Sequence, residues 1–163
     1  MARLLSFPNP VNEKAARTVA AGVVALAVAT LSSRQLLLTV PLAYGFVARA
    51  ASGPRFSPLG QLATRVIAPR LGAPKPVPGP PKRFAQLMGA AFTLAALCCF
   101  LAGERTAAFV LVATLLAPAL LESALGYCIG CELFGLGMRL GIVPASVCEE
   151  CLDLSKRRHL AGA

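Results

Sequence analysis

The chain has 163 residues, of which 56% are hydrophobic and only 14% are charged, and its formal net charge is +9. Soluble domains carry about 25% charged residues, so this composition excludes an ordinary soluble globule and is typical of a small integral membrane protein. The basic residues flank apolar segments and form no patch interleaved with aromatic residues. Nucleic acid is therefore excluded as a partner, and the expected partner is the lipid bilayer.

Four apolar stretches predict an all-α, polytopic membrane helical bundle with about four transmembrane helices. The helices are expected at about residues 15–33, 35–49, 84–103 and 106–127, within a single integral membrane domain that covers residues 1–163. A straight helix needs about 20 residues to cross the hydrocarbon core, and the first two stretches are shorter than this. A re-entrant or interfacial hairpin is therefore an alternative to two full spans there.

The loop between the second and third stretches contains two distinct segments. Ser57 and Pro58 form an N-cap followed by a proline in the first turn, and apolar residues then recur at helical spacing. This pattern predicts a cytoplasmic amphipathic helix at about residues 58–68 that lies on the membrane surface. Residues 73–82 contain five prolines, which predicts an extended strap.

The distribution of basic residues predicts the orientation in the membrane. Fourteen of the sixteen Lys and Arg residues lie in the N-terminal region, the middle loop or the C-terminal region, whereas the other loops contain only Arg34 and Arg105. Cytoplasmic loops carry the excess of Lys and Arg. We therefore expect a multi-pass protein of the bacterial inner membrane with both termini in the cytoplasm, where disulfides that persist as structural links are disfavoured.

Two C-x2-C pairs, Cys128 with Cys131 and Cys148 with Cys151, lie in a predicted cysteine-rich cap at about residues 128–154. One hypothesis is a structural four-cysteine zinc site, with an iron–sulfur cluster as a variant of it. A second is thiol redox chemistry, in which Cys128 and Cys131 react while Cys148 and Cys151 accept or resolve. The third is a set of unrelated thiols. The spacing leaves the first two open.

The residues around the pairs do not decide between metal and redox chemistry. If residues 131–140 are helical, Cys128 lies just before the N-terminus of that helix, where the helix dipole stabilises a thiolate. Glu132, Glu149 and Glu150 add negative charge beside the sulfurs. Negative charge raises the pKa of a thiol, and it is compatible with a bound cation.

Glu122 is an acidic residue inside the fourth apolar stretch, six residues before Cys128. A charged side chain near the centre of a spanning helix costs about 2.5–3.5 kcal/mol on insertion scales. Glu122 is expected near the inner interface rather than the midplane, because it lies about 9 Å along a helix from Cys128. One interpretation is an ion pair with a loop arginine such as Arg83 or Arg65. The other is a proton acceptor for thiol chemistry. The candidate catalytic residues are Cys128, Cys131 and Glu122.

Two further cysteines, Cys98 and Cys99, lie late in the third apolar stretch. They are expected to be small apolar residues of a helix, and the alternative is an electron path to the cytoplasmic pairs. The chain has no Ser/His/Asp set, Gly-rich phosphate loop or HExxH helix. Hydrolase and nucleotide-dependent activities are therefore not expected.

Several segments together resemble one known family. They are FPNPVNEKAAR, GPRFSPLGQLATRVIAPRLG, PKPVPGPPKRFAQ, and GYCIGC followed by VCEEC. They are similar, over roughly residues 7–151, to the uncharacterised bacterial membrane family catalogued as domain of unknown function 4395. The resemblance implies a thiol-handling membrane protein with a thioredoxin-like or sulfurtransferase partner.

The expected function is therefore thiol–disulfide redox or sulfur relay at the membrane, through the paired C-x2-C motifs. The alternative is a non-catalytic membrane scaffold with a structural zinc site on the four cysteines.

Overall fold

The computed structural model describes residues 7–148 and Cys151, and it has the predicted all-α architecture of a membrane bundle. The helices are α1 (Glu13–Ser33), α2 (Thr39–Ser52), α3 (Pro58–Leu62), α4 (Ala68–Arg70), α5 (Gly79–Leu101), α6 (Arg105–Leu125) and α7 (Ile129–Arg139). Two short strands, β1 (Val11–Asn12) and β2 (Pro76–Val77), form an antiparallel ladder. Of the predicted cap, Glu149, Glu150 and residues 152–154 lie outside the described residues, as does the basic tail at 156–158.

Among the residues that the structure describes, three helices are long and apolar enough to cross a membrane. α1, α5 and α6 have 21, 23 and 21 residues, and each contains an 18-residue stretch with a mean hydropathy between 1.7 and 2.0. α2 and the 3₁₀ turn before it form a shorter apolar helix, Leu36–Ser52. The four apolar helices that we expected are present in the described part of the chain. Three of them have spanning length, and the second is shorter.

The apolar side chains of the bundle fall into an inner and an outer set. α1 packs on α6, α2 packs on α5, and α5 packs on α6. The core between them contains Val23, Leu42, Phe46, Ala90 and Leu115. Other large apolar residues are exposed on the outside of the spanning helices, for example Leu87, Leu94, Val110 and Leu120. An apolar outer face of this kind is the surface that a spanning bundle presents to lipid.

The starts of α1 and α5 and the end of α6 lie at one end of the bundle. Val11 of β1 pairs with Val77 of β2, which joins the segments that precede α1 and α5. Arg17 of α1 donates to the backbone carbonyls of Ser123 (3.2 Å) and Ala124 (2.7 Å). These carbonyls have no partner within their own helix, so the guanidinium caps the end of α6.

The start of α5 differs from the prediction. The helix begins at Gly79, five residues before the predicted position 84, and only Pro76–Val77 of the proline-rich strap is a strand. Pro80 and Pro81 lie in the first turn, where a missing N–H costs no helical hydrogen bond. The earlier start brings Lys82 into the helix, where it is buried.

The middle loop contains the predicted helix. Ser57 caps it by accepting a hydrogen bond from the N–H of Gly60 (3.1 Å). α3 continues through a π-helical turn, Ala63–Ile67, into α4, so the helical segment extends two residues beyond the expected position 68. It lies against α1, where a Cβ on Gly22 would be 2.5 Å from Leu59 Cδ1.

Candidate functional site

A tight turn between α6 and α7 places Cys128 at the start of α7. Gly126 ends α6 with φ +71°, a conformation that glycine adopts without steric cost. Its N–H donates to the carbonyl of Glu122 (3.0 Å), and the N–H of Tyr127 donates to that of Leu121 (3.3 Å). Cys128 then occupies the N-cap position of α7. The sequence alone left open whether residues 131–140 are helical; they are helical as far as Arg139, and the helix starts two residues earlier, at Ile129.

Two contacts hold α7 against α5. Gly130 is buried, and a Cβ at this position would lie 2.6 Å from the Cβ of Ala85. One turn further, the rings of Phe84 and Phe134 pack with their centroids 5.8 Å apart. The first turn of α7, which carries both cysteines of the first pair, is thereby fixed beside the first turns of α5.

Cys128 is the thiol of the first pair whose ionisation is favoured. Its pKa is lowered from the ordinary value, first because the side chain of Cys131 donates a hydrogen bond to its sulfur. The ammonium group of Lys82 and the backbone N–H of Cys131 lower it further, while burial and the carboxylate of Glu122 act in the opposite direction. The N-terminal end of α7 also favours negative charge at this position.

Cys131 has the opposite character. Its pKa is raised, first by the hydrogen bond that its thiol donates to Cys128, and then by burial and by the negative charge on Cys128. A pair in which one thiol ionises more readily and the other holds its proton more strongly suits thiol–disulfide exchange, because one sulfur attacks and the other resolves.

Glu122 forms an ion pair, but its partner differs from the residues we expected. Lys82 Nζ lies 2.6 Å from Glu122 Oε1, and the two side chains are 10% and 14% exposed. The expected Arg83 instead donates from Nε to the carbonyl of Ala50 (3.0 Å). The early start of α5 explains the difference, because it turns Lys82 toward α6.

Arg49 is a buried cation. From the sequence alone it was counted only among the basic residues that predict orientation in the membrane. Its Nε donates to Gln86 Oε1 (2.7 Å) and its Nη1 donates to Ser57 Oγ (3.0 Å). Its guanidinium lies 4.8 Å from the centre of the Phe46 ring, a cation–π distance. The sequence signal was the position of Arg49 at the edge of an apolar stretch, which is also where a snorkelling arginine is found.

The second cysteine pair forms a disulfide, Cys148–Cys151. Cys151 lines a groove of about 320 Å³ together with Cys128, Cys131, Lys82 and Phe134. We refer to it as the peripheral groove. The structure therefore brings both thiols of the first pair and one sulfur of the disulfide, that of Cys151, to the peripheral groove.

The four cysteines do not fit a four-thiolate metal site in this arrangement. Among residues 7–148 and Cys151, no group of three or more His, Cys, Asp or Glu side chains is placed to hold a metal ion. The disulfide also engages two of the four predicted ligands. The zinc site stays a prediction for a state in which that disulfide is reduced.

Cys98 and Cys99 are free thiols on α5. Cys98 is sixteen residues beyond Lys82, which is about 24 Å along a helix axis. A thiol at that distance does not reach the first cysteine pair, so these two residues do not belong to the site.

Comparison with known proteins identifies a family for this chain. No curated protein and no solved structure shows a significant match to this chain. A family profile described as domain of unknown function (DUF4395) matches residues 11–139, which include α1 to α7 and the first cysteine pair. The chain belongs to this DUF4395 family.

Proposed function

We propose that the protein is a membrane-embedded thiol–disulfide exchange protein whose reactive centre is the Cys128–Cys131 pair. The observation that carries the proposal is the meeting of a dithiol and a disulfide in the peripheral groove. Cys128 is the nucleophile because its thiolate is favoured, and Cys131 is the resolving thiol because it keeps its proton.

The exchange proceeds in two balanced steps. The Cys128 thiolate attacks the sulfur of Cys151, so that a Cys128–Cys151 bond forms, the Cys148–Cys151 bond breaks, and Cys148 leaves as a thiolate. Cys131 then loses its proton and attacks the sulfur of Cys128, which releases Cys151 as a thiolate. One disulfide and two thiols are present before and after, so no external oxidant is required.

Glu122 has two roles in this scheme. It holds Lys82 beside the first cysteine pair through their ion pair. We assign to its carboxylate the acceptance of the Cys131 proton, since it interacts electrostatically with both thiols.

A soluble partner completes the proposed cycle. The groove that exposes Cys151 lies at the same end of the bundle as the N-terminal segment and the middle loop, which carry most of the basic residues that the structure describes. The positive-inside rule makes this the cytoplasmic face of a bacterial inner membrane. We propose that a thioredoxin-like protein or a sulfurtransferase exchanges with the Cys148–Cys151 pair there.

Trapping the mixed disulfide tests the proposal. Purified protein in lipid nanodiscs is reduced, reoxidised with limiting glutathione disulfide, alkylated and mapped by mass spectrometry. Cys131→Ser should accumulate a Cys128–Cys151 linkage, because the resolving thiol is missing, while Cys128→Ser should form none. Cys98→Ser is the matched control and should behave as the wild type.

The same preparation measures reactivity and metal. We expect iodoacetamide to modify Cys128 at least about tenfold faster than Cys131 at neutral pH, since one unit of pKa difference is a tenfold difference in thiolate population. Equal rates at both thiols, with no trapped linkage in Cys131→Ser, would refute the proposal. So would about one zinc per chain with all four thiols protected until denaturation, which is the result expected of a structural four-cysteine site.

A further inference from the structure

A second cavity lies inside the bundle, between α1, α5 and α6. Its volume is about 370 Å³. Its walls are mostly apolar side chains, including Val19, Val23, Phe46, Phe92, Leu115 and Pro118. We refer to it as the inner cavity. A volume of this size, with apolar walls and a few polar groups, is typical of small-molecule sites.

The polar groups of the inner cavity are concentrated at the end that carries the reactive thiol. Cys128, Glu122 and Gln86 line that end, whereas Phe92 and Thr114 line the other. Thr114 is eight residues before Glu122, so the cavity extends about 12 Å along α6 into the apolar part of the bundle. A ligand there has an apolar body and a polar head beside Cys128.

Cys128 is shared between the two spaces. It lines the inner cavity and also the peripheral groove that contains Cys151. The nucleophile of the proposed exchange is therefore accessible to a soluble thiol partner from one side and to a molecule inside the bundle from the other.

The inner cavity also opens toward lipid. Ala117 and Thr114 line it and are exposed on the outer surface of α6. Leu115, Ala117 and Pro118 are apolar, and the Thr114 hydroxyl donates to the Val110 carbonyl of its own helix, so a molecule that enters here comes from the bilayer and is lipid-soluble.

We propose that the inner cavity binds the head group of a membrane quinone, and that the Cys128–Cys131 dithiol passes an electron pair to it. This inference rests on the proposed function. When the two thiols form one S–S bond they lose two electrons and two protons, and a quinone that becomes a quinol takes up both. Among lipid-soluble molecules, a quinone matches this stoichiometry and has the required shape, a flat apolar ring with polar carbonyls and an apolar tail.

Gln86 is placed to bind a quinone carbonyl. It lines the polar end of the inner cavity, and its amide oxygen accepts a hydrogen bond from Arg49 Nε. That bond fixes the orientation of the amide, so its NH₂ group remains as the donor for a ligand carbonyl. Arg49, itself held by Ser57, thereby acts as a positioning residue for Gln86.

A single-turnover experiment tests the quinone site. Reduced protein in nanodiscs, freed of reductant, is mixed with a short-chain ubiquinone or menaquinone analogue. Quinol is measured by absorbance, and the Cys128–Cys131 disulfide is measured by mass spectrometry. We expect one quinol for each disulfide formed.

Two variants of α6 provide the matched comparison. Ala117→Phe places a ring in the opening of the inner cavity and should slow quinone reduction at least tenfold. Ala113→Phe, one turn earlier, changes an exposed alanine that does not line the cavity, and it should react as the wild type. Both should exchange with glutathione disulfide within about twofold of the wild-type rate, which shows that the thiol pair is intact.

The outcomes separate this inference from the proposed function. Normal exchange with glutathione disulfide but no quinone-dependent disulfide in the wild type would overturn the quinone site and leave the exchange function standing. Equal slowing by Ala117→Phe and Ala113→Phe would also overturn it. A bound phospholipid that is lost in Ala117→Phe, without any quinol formation, would show that lipid fills the cavity. If the wild type neither exchanges with glutathione disulfide nor reduces the quinone, both proposals are refuted.

Discussion

Lys82 and Glu122 form an ion pair between the first turn of α5 and the last turn of α6, with 2.6 Å between Nζ and Oε1. Each side chain is at most 14% exposed, and both charges act on the thiols of Cys128 and Cys131. The pair therefore links the packing of two spanning helices to the reactivity of the site beside them. A buried charge that loses its partner is costly, so substitution of either residue has a structural and a chemical effect.

Removal of the positive charge and removal of the negative charge of this ion pair should shift the pKa of Cys128 in opposite directions. Lys82 lowers the pKa of Cys128 and Glu122 raises it. Glu122→Gln should therefore shift the pH profile of Cys128 alkylation to lower pH, and Lys82→Met should shift it to higher pH. The measurement is the iodoacetamide rate across pH, with Cys128 followed by mass spectrometry.

The control for this prediction is Arg83→Met, which removes the neighbouring cation that contacts Ala50 rather than the thiols. It should leave the Cys128 profile unchanged. Lys82→Met and Glu122→Gln should each lower the free energy of unfolding in detergent by about 3–5 kcal/mol, because each leaves an uncompensated buried charge. A shift of both profiles in the same direction would mean that general distortion, not charge, controls Cys128.

Cys131→Ala should make Cys128 a weaker nucleophile at neutral pH. The hydrogen bond from the Cys131 thiol is the largest cause of the lowered pKa of Cys128, so its loss raises that pKa. The thiolate population at pH 7 falls, and the pH profile of alkylation moves to higher pH. Cys131→Ser, whose hydroxyl still donates a hydrogen bond, should retain more of the reactivity. Faster alkylation of Cys128 in Cys131→Ala would contradict the assigned roles.

Gly130→Ala should displace the start of α7. The added Cβ would lie 2.6 Å from that of Ala85, a separation that requires the two helices to shift. Overpacking of this kind costs about 1–3 kcal/mol, and the shift carries the first cysteine pair away from Lys82. Thermal unfolding and the Cys128 alkylation rate should both decrease relative to wild type.

Gly135→Ala is the matched control on the same helix. A Cβ at Gly135 meets nothing within 4 Å, and alanine is a better helix former than glycine by about 1 kcal/mol. We expect unchanged Cys128 reactivity and a slight gain in stability. Equal destabilisation by the two alanines would show that α7 is not docked through Gly130.

Thr39→Val should be neutral or stabilising. Thr39 is fully buried, and its Oγ1 is a buried polar atom without a hydrogen-bond partner among the described residues. An unsatisfied buried hydroxyl costs about 1–3 kcal/mol, and valine has nearly the same shape without the hydroxyl. Thr30→Val, which removes a hydroxyl bonded to the Leu26 carbonyl, is the comparison and should not stabilise. A lower unfolding temperature for Thr39→Val alone would refute the prediction.

Much of the fold was predictable because apolar length and proline position are local signals. The spanning helices and the segment that starts at Pro58 followed from such signals. The start of α5 did not, because a proline-rich segment is compatible both with an extended strap and with a first helical turn. The N–H of Gly79 donates to Asn9 Oδ1, seventy residues away in the sequence, and this long-range contact favours the helical turn.

The early start of α5 explains why the sequence did not predict the ion pair between Lys82 and Glu122. The prediction put Lys82 in a loop, among the many basic residues that indicate orientation in the membrane. Inside α5 it is instead the ion-pair partner of Glu122. The spacing of the cysteines identified both pairs, but spacing carries no information on which thiol is ionised. The roles of Cys128 and Cys131 arise from burial, a helix N-terminus and charges on other helices, which only the packed structure supplies.

The ladder between β1 and β2 also has a consequence for biosynthesis. Asn12 accepts a hydrogen bond from the N–H of Lys75, 63 residues later, and the N–H of Glu13 donates to the carbonyl of Lys75 (2.9 Å). A nascent chain therefore inserts its first helix long before the ribosome has made the residues that close the polar end of that helix. Completion of this end waits for the segment that leads into α5, so the earliest helix reaches its final state only when the third apolar segment emerges.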